Sequence, residues 1–450
     1  MSESRTLIRD ALLVSNTPEA QVPFVGWLLV SGNRVEALGR GEPPRQKTDQ
    51  VIDGNHTAVI PGLVNAHGHS HSSLTRGSAE GVALEAWLKA VEVEQSRLTR
   101  EQAYFAALAT YAEMLLSGTT LVMDMCLFPE AAVQAAQEIG IRAVIAPYVA
   151  DSKPFAPTLD RTEQLLAESP YGGGTVKIWC GLHDLESCSE AQIRTAIKLA
   201  ARYGAGLHLH CAETRFSVEK TLKRTGQRPV THLASLGALS PRTLLAHCVW
   251  IDESEQGLLR STGAYVAHCP HANLKLGCGV APVPELIEKG VGVALATDGA
   301  KANNRLDMFE VMKLASLIHK GTHCDPAVMP PERILAMATR DGAAALDVDA
   351  GTLAPGMLAD LTLVRLDRFH LQPAVPETIV TNLVHAAHGS DVRWVMVNGK
   401  VVVANGIVQT IDQTRLRERV SEIGRSLLQY TNCQPPRHST DHSCNRTLKS

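Results

Sequence analysis

The chain has 450 residues, 45% of them hydrophobic, with a formal net charge of -3. That length can hold two domains and a large core, and a near-neutral charge without a basic stripe argues against nucleic acid or an anionic membrane as main partner. The amino terminus MSESRTLIRDALLV has no signal-peptide character and no apolar run reaches the length of a bilayer span, so a soluble, cytoplasmic protein is expected.

In chain order, residues 1–60 read as short strands and turns. WLLVSGNRVEALG carries two apolar runs around Ser31-Gly32-Asn33, a hairpin signal, and VIDGNHTAVIPG repeats the pattern. Eight strand candidates then alternate with helical stretches: AVIPGLVNAH, TTLVMDM, RAVIAPYVA, TVKIWCGLH, AGLHLHCAE, TLLAHCVW, GAYVAHCP and VGVALATDG. The intervening pieces, such as EQAYFAALATYAEMLLSG, place apolar residues at helical period. Such alternation implies a parallel sheet, and eight units imply an α/β fold closed as a (β/α)8 TIM-type barrel over 61–346. Strand texture returns in GTLAPGMLADLTLVRLD and in VRWVMVNGKVVVANG, whose turn is Asn398-Gly399. Segments 1–60 and 347–412 are therefore expected to pair into one small β-sandwich domain built from both chain ends. A helix is expected over 413–433 and a loose polar tail over 434–450.

Ten cysteines are scattered without a C-x-x-C pair, several inside apolar strands (Cys180, Cys211, Cys248, Cys269). This pattern fits buried reduced thiols rather than a disulfide framework or a zinc-thiolate cluster.

The most telling stretch is PGLVNAHGHSHSSLTRG (61–77), which sets His67 and His69 two apart at the end of an apolar run. Side chains two apart on a strand point to one side, so both imidazoles can reach one metal ion. His210 ends the fifth strand, His247 the sixth and Asp298 the eighth. Carboxyl ends are where barrel enzymes carry their chemistry. Imidazole and carboxylate suit Zn2+ or Fe2+, and three or four such ligands leave a place for water, whose pKa falls to roughly 7 on zinc. Asp298 can take the proton of that water as it attacks an electrophilic carbon. Glu213, three past His210, can protonate a ring nitrogen and then a departing amine. His247 orients the water or steadies developing charge, and His183, ending the fourth strand, can hold substrate.

Plainer roles compete. His232 and His319 read as surface or satisfied core residues, and His208 as core packing a pleat below His210. His71 lies past its strand end, fitting a loop or pocket-lining role before a ligand role; His268 and His271 fit pocket or loop. Asp298 alone could be a helix cap. The fourth strand ends in His183, with Lys177 too early to bridge two ions, which favours a single metal.

Taken together, PGLVNAHGH, HCAET, LAHCVW, the stretch NLKLGCGVAPVPELIEKGVGVALATDGAKANNRLDMFEVMKLASL and GTLAPGMLADLTL resemble the amidohydrolase superfamily. The resemblance is to its branch of S-adenosylhomocysteine/methylthioadenosine deaminases and s-triazine hydrolases, and it covers nearly the whole chain except the tail. It implies His67, His69, His210 and Asp298 as metal ligands, Glu213 and His247 as the groups acting on proton and water, and His183 as a substrate contact. In adenosine-type members a glutamate after a Trp-Leu pair grips the ribose. Here Trp87-Leu88 is present, and Glu94 or Glu92 could follow suit with Gln95 competing, although an exposed helix-face acid is the plainer role for either. Lys301 departs from the family's small-residue run; it could meet an anionic or carbonyl-bearing substrate, or point into solvent.

The expected function is that of a metal-dependent aminohydrolase releasing ammonia or an amine from an amidine-like carbon of a purine, pterin, pyrimidine or s-triazine. A chlorohydrolase or cyclic amidase on the same scaffold is the nearest rival, and a non-catalytic scaffold protein a remote one. The resemblance also leaves room for an assembly of identical subunits, which no residue proves.

Overall fold

The computed structural model describes residues 4–17, 22–45, 47–82 and 84–429. The end of the expected last helix (430–433) and the expected tail lie outside them. In chain order, β1 (Arg5–Leu13), β2 (Phe24–Ser31) and β3 (Arg34–Gly39) run antiparallel, while β4 (Gln50–Asp53) and β5 (Thr57–Pro61) lie parallel to β1. The hairpin at Gly32-Asn33 forms, with Ser31 opposite Arg34. The second one does not, because β4 and β5 both pair with β1 instead of with each other.

The run AVIPGLVNAH is two strands, not one. β5 belongs to the terminal sheet, and β6 (Leu63–Gly68) opens the barrel. Gly62 is the pivot between them. A Cβ there would sit 2.0 Å from Thr120 Oγ1, so only glycine lets the chain pass that close to the next strand. The barrel continues through β7 (Thr119–Cys126), β8 (Arg142–Pro147), β9 (Val176–Ile178), β10 (Cys180–Gly181), β11 (Leu207–Cys211), β12 (Thr243–His247), β13 (Tyr265–His268) and β14 (Val293–Leu295). β9 and β10 are one strand interrupted at Trp179, whose N–H donates to Ile145 on one neighbour while Cys180 N–H donates to Gly206 on the other side. With that strand counted once, eight parallel strands close the barrel. Side chains complete the seam between β6 and β14: Asn65 accepts from Thr297 N–H at 2.9 Å and donates to Thr297 Oγ1 at 2.7 Å, and Asp298 N–H donates to the His67 carbonyl at 3.0 Å.

The strands are buried along almost their whole length, as expected for a sheet covered by helices on one face and filled by its own side chains on the other. Capping residues start the intervening helices where the chain turns back. Thr99 and Gln102 form a reciprocal capping box on the helix Arg100–Leu116, and Asp252 and Glu255 do so on Glu253–Thr262.

β15 (Leu361–Arg365), β16 (Val392–Val397), β17 (Lys400–Ala404) and β18 (Ile407–Val408) return to the terminal sheet. Its order is β18-β17-β16-β15-β5-β1-β2-β3, with β4 also on β1, so the two chain ends meet where β5 pairs antiparallel with β15. The turn Asn398-Gly399 has positive φ at both residues (52° and 74°), which this tight hairpin requires. A buried ion pair ties this sheet to the barrel: Arg142 of β8 donates to both carboxylate oxygens of Asp360, at 2.6 and 3.1 Å. The helix Gln413–Leu428 packs on the helix Arg100–Leu116. Among the described residues eight cysteines are free, seven of them buried, and no helix is long and apolar enough to cross a membrane.

Candidate metal centre and active site

The carboxyl ends of the barrel strands bring four imidazoles and two carboxyl groups together. His67 comes from β6 and His69 from the residue just past its end, His210 from β11, His247 from the end of β12, Asp298 from the turn after β14 and Glu213 from the loop after β11. The donor atoms of His67, His69 and Asp298 lie within 4.8 Å of one another, as do those of His67, His210 and His247. Asp298 Oδ1 is 3.6 Å from His67 Nε2 and 3.4 Å from His69 Nε2. Asp298 and His247 both hold positive φ (63° and 72°), backbone strain of the kind that clusters at functional sites.

Hydrogen bonds settle which ring nitrogens carry protons. A carbonyl can only accept, so His69 Nδ1–H donates to Met125 and His210 Nδ1–H to His183. His208 Nδ1–H donates to the Leu244 carbonyl at 2.8 Å, which leaves its Nε2 to accept from His67 Nδ1–H, also at 2.8 Å. In all three site histidines, His67, His69 and His210, the Nε2 lone pair is then left facing the centre. His67 Nε2 is buried without a hydrogen-bond partner. The Nε2 atoms of His69 and His210 stand 3.2 Å apart with no proton available between them. Two bare lone pairs at that distance repel unless a cation sits between them. Ligands about 2.05 Å from a tetrahedral zinc lie ~3.3 Å apart. The residues present therefore fit a divalent metal, and the outer carbonyls and His208 fix the tautomers that ligation needs.

Burial holds these imidazoles neutral. It is the first cause lowering His67 and His210 well below the usual histidine range and His69 to about 3, and neighbouring imidazoles add to it. Burial likewise pushes the carboxyls of Asp298 and Glu213 up. Glu213 stands on the loop after β11. Its Oε1 accepts from the Cys278 thiol at 3.6 Å, and its Oε2 is 3.8 Å from His247 Nε2. His247 Nδ1–H donates to Asn273 Oδ1 at 2.8 Å, which turns its Nε2 toward the centre.

A cavity of about 450 Å3 opens over these groups. His69, His210, His247, Asp298 and Glu213 make its floor, and His183, Tyr148 and Gln95 its polar side. His183 is fixed by Asp184 at 2.8 Å, and its ring lies tilted by 33° against that of Tyr148, with centroids 4.3 Å apart. The facing wall is apolar: Leu84, Trp87, Leu88, Val91, Phe216 and Leu276.

Most sequence-derived candidates thus converge; His67 lies at the metal centre beneath the cavity lining, and two others belong to neither the centre nor the cavity. Glu94 and Lys301 are absent from its lining and pair with each other, Lys301 Nζ donating to Glu94 Oε2 at 2.7 Å, both side chains buried. Lys301 points neither to substrate nor to solvent, and Glu94 is no exposed helix-face acid. Glu92 and Gln95 are the members of that trio that line the cavity. His71 lines it too, while His268 and His271 do not; His268 faces His319 of the helix Met308–His323, with Nε2 atoms 3.4 Å apart. His208 is more than core packing, since it is the partner of His67. The two-apart spacing of LHLHC carries the signal for it: His208 shares the facing of His210 one pleat deeper, where it meets His67.

A parallel barrel with neutral imidazoles and a carboxylate converging at its carboxyl rim defines a metal-dependent hydrolase. The chain belongs to the amidohydrolase family, whose profile matches residues 58–402. It is 36% identical over 409 residues, 90% of this chain and 94% of the relative, to a 5-methylthioadenosine/S-adenosylhomocysteine deaminase of Syntrophomonas wolfei. Among solved structures it resembles a zinc-bound adenosine deaminase from Xanthomonas campestris (TM-score 0.90, 27% identity, 95% of this chain and 99% of that one). It also resembles an atrazine chlorohydrolase from Arthrobacter aurescens TC1 complexed with zinc (TM-score 0.86, 25% identity, 93% and 100%).

Proposed function

We propose that the protein is a zinc-dependent aminohydrolase acting on an aminated purine nucleoside or a related nitrogen heterocycle, replacing the amino group by oxygen and releasing ammonia. The observation that carries this reading is Glu213. It is a buried carboxyl beside the donors of a metal centre, pushed toward its protonated form and so able to protonate the ring nitrogen next to the carbon that loses its amine.

His67, His69, His210 and Asp298 would hold the ion, which supplies Lewis acidity and lowers the pKa of water. Asp298 takes a proton from water as its oxygen bonds to the amino-bearing carbon. Glu213 gives its proton to the adjacent ring nitrogen. The proton on Asp298 then passes to the amino group, the C–N bond breaks, and the new carbonyl forms as its hydroxyl proton returns to Glu213. Both acids finish as they began, and water plus amine has become oxo product plus ammonia. His247 orients the water, Asn273 orients His247, and His183 and Trp87 flank the heterocycle.

The test is ammonia release by the zinc-loaded protein with 5′-methylthioadenosine, adenosine, aminated pterins and pyrimidines, and an aminated and a chlorinated triazine. Ammonia from any aminated ring supports the reading. Chloride release alone makes the protein a chlorohydrolase, and no product from any of them overturns the assignment of chemistry.

A further inference from the structure

The helix Leu84–Gln95 supplies most of the apolar cavity wall, yet only Leu84, Val91, Glu94 and Gln95 are buried along it. Two of those four are polar, so hydrophobic packing alone does not hold the helix in place. Polar locks do so instead. Glu94 Oε1 accepts from Thr75 Oγ1 at 2.6 Å and its Oε2 from Lys301 Nζ at 2.7 Å. Gln95 is 3.1 Å from His71 Nε2, and Glu92 pairs with Lys153.

The origin of the two groups on Glu94 is the important point. Thr75 ends the short helical turn Ser70–Thr75 that directly follows His67 and His69. Lys301 stands three residues after Asp298. These are the loops of the first and last barrel strands, which meet at the seam that Asn65 and Thr297 close. One carboxylate thus joins the substrate-facing helix to both loops that carry metal-centre residues. Gly299 tightens the same corner, where a Cβ would meet Ser72 Oγ at 2.4 Å.

We propose that Glu94, Lys301 and Thr75 form a clamp that registers the cavity wall against the metal centre, making Lys301 and Glu94 positioning residues for substrate binding. Neither touches the cavity. Their effect runs through Trp87, Leu88 and Val91, so loss of the clamp should weaken the grip on substrate more than the chemical step. That last clause rests on the aminohydrolase reading; the clamp itself does not.

The experiment uses the zinc-loaded full chain and the variants Lys301→Met, Lys301→Arg and Glu94→Gln/Lys301→Met. Amide hydrogen exchange over 84–95 and zinc content are measured without substrate, and kcat and KM with 5′-methylthioadenosine. Lys301→Met is expected to speed exchange over 84–95 by at least about tenfold with zinc content unchanged. KM should rise about tenfold while kcat stays within about threefold. Lys301→Arg should recover most of both losses, and the double variant part of them, because an unpaired buried carboxylate is worse than a neutral pair. Wild-type exchange over 84–95 in Lys301→Met overturns the clamp, as does a fall in kcat and zinc at constant KM. If Lys301→Met does not fold, Thr75→Val removes one anchor only; an intermediate rise in exchange supports the clamp and wild-type exchange overturns it. Should 5′-methylthioadenosine not react, kcat and KM are read with the aminated ring that does release ammonia; if none does, the aminohydrolase reading fails while exchange still decides the clamp.

Discussion

His208→Phe tests how far the metal centre depends on a residue that never reaches it. The ring keeps its bulk and burial, but the acceptor for His67 Nδ1–H is lost. Two terms then act on zinc binding. His67 is no longer pinned in the tautomer and rotation that present Nε2, and its Nδ1–H becomes a buried donor without a partner, which costs ~1–3 kcal/mol by itself. Loss of such an outer partner lowers metal affinity about 10- to 100-fold, or roughly 1.4–2.7 kcal/mol at about 1.4 per decade. Both rings are fully buried, so water cannot take over the role. Zinc affinity is read by competition with a chromogenic chelator, and the melting temperature reads separately the cost of leaving the Leu244 carbonyl open. A zinc Kd within about twofold of wild type would refute the reasoning, since the hydrogen-bonded pair would then contribute almost nothing to ligation.

His67→Ala or Asp298→Ala should abolish turnover and deplete zinc together, measured by elemental analysis and ammonia release. Glu213→Gln should keep its zinc and lose about 10²- to 10⁴-fold in kcat; full activity would remove Glu213 from proton transfer. Folding stability should fall in mild acid through His319, which burial holds down to about 4 against about 6.5 unfolded. Because the unfolded chain binds this proton first, stability present above pH ~6.5 is lost as pH drops toward 4, and His319→Phe should flatten that slope in urea titrations at several pH values.

The barrel was legible because alternating strand and helix periods survive in the sequence. The metal-centre histidines were legible because a ligand pair two apart on a strand has few other uses. What stayed hidden depended on contacts between distant segments. Gly62 gave no local sign that AVIPGLVNAH changes sheets there, since only Thr120 across the gap demands it. Lys301 and Glu94 each look exposed on their own short helices, and only closure of the seam makes them partners. Helix register likewise decides that Glu92 and Gln95 face the cavity while Glu94 does not. β4 and β5 carry hairpin texture, but β1 outcompetes each for the other.

The terminal sheet pairs Thr57 with Arg365, so β5 leaves the ribosome with β1 already made but long before its other neighbour, β15, exists. Until then it remains an apolar ribbon with an open edge, prone to sticking to other nascent chains. Completion of this sheet must therefore follow synthesis of β15, a slow step governed by distant pairing. Shortening the chain from its carboxyl side past Leu361 should turn a folding problem into an aggregation problem even with the barrel residues intact.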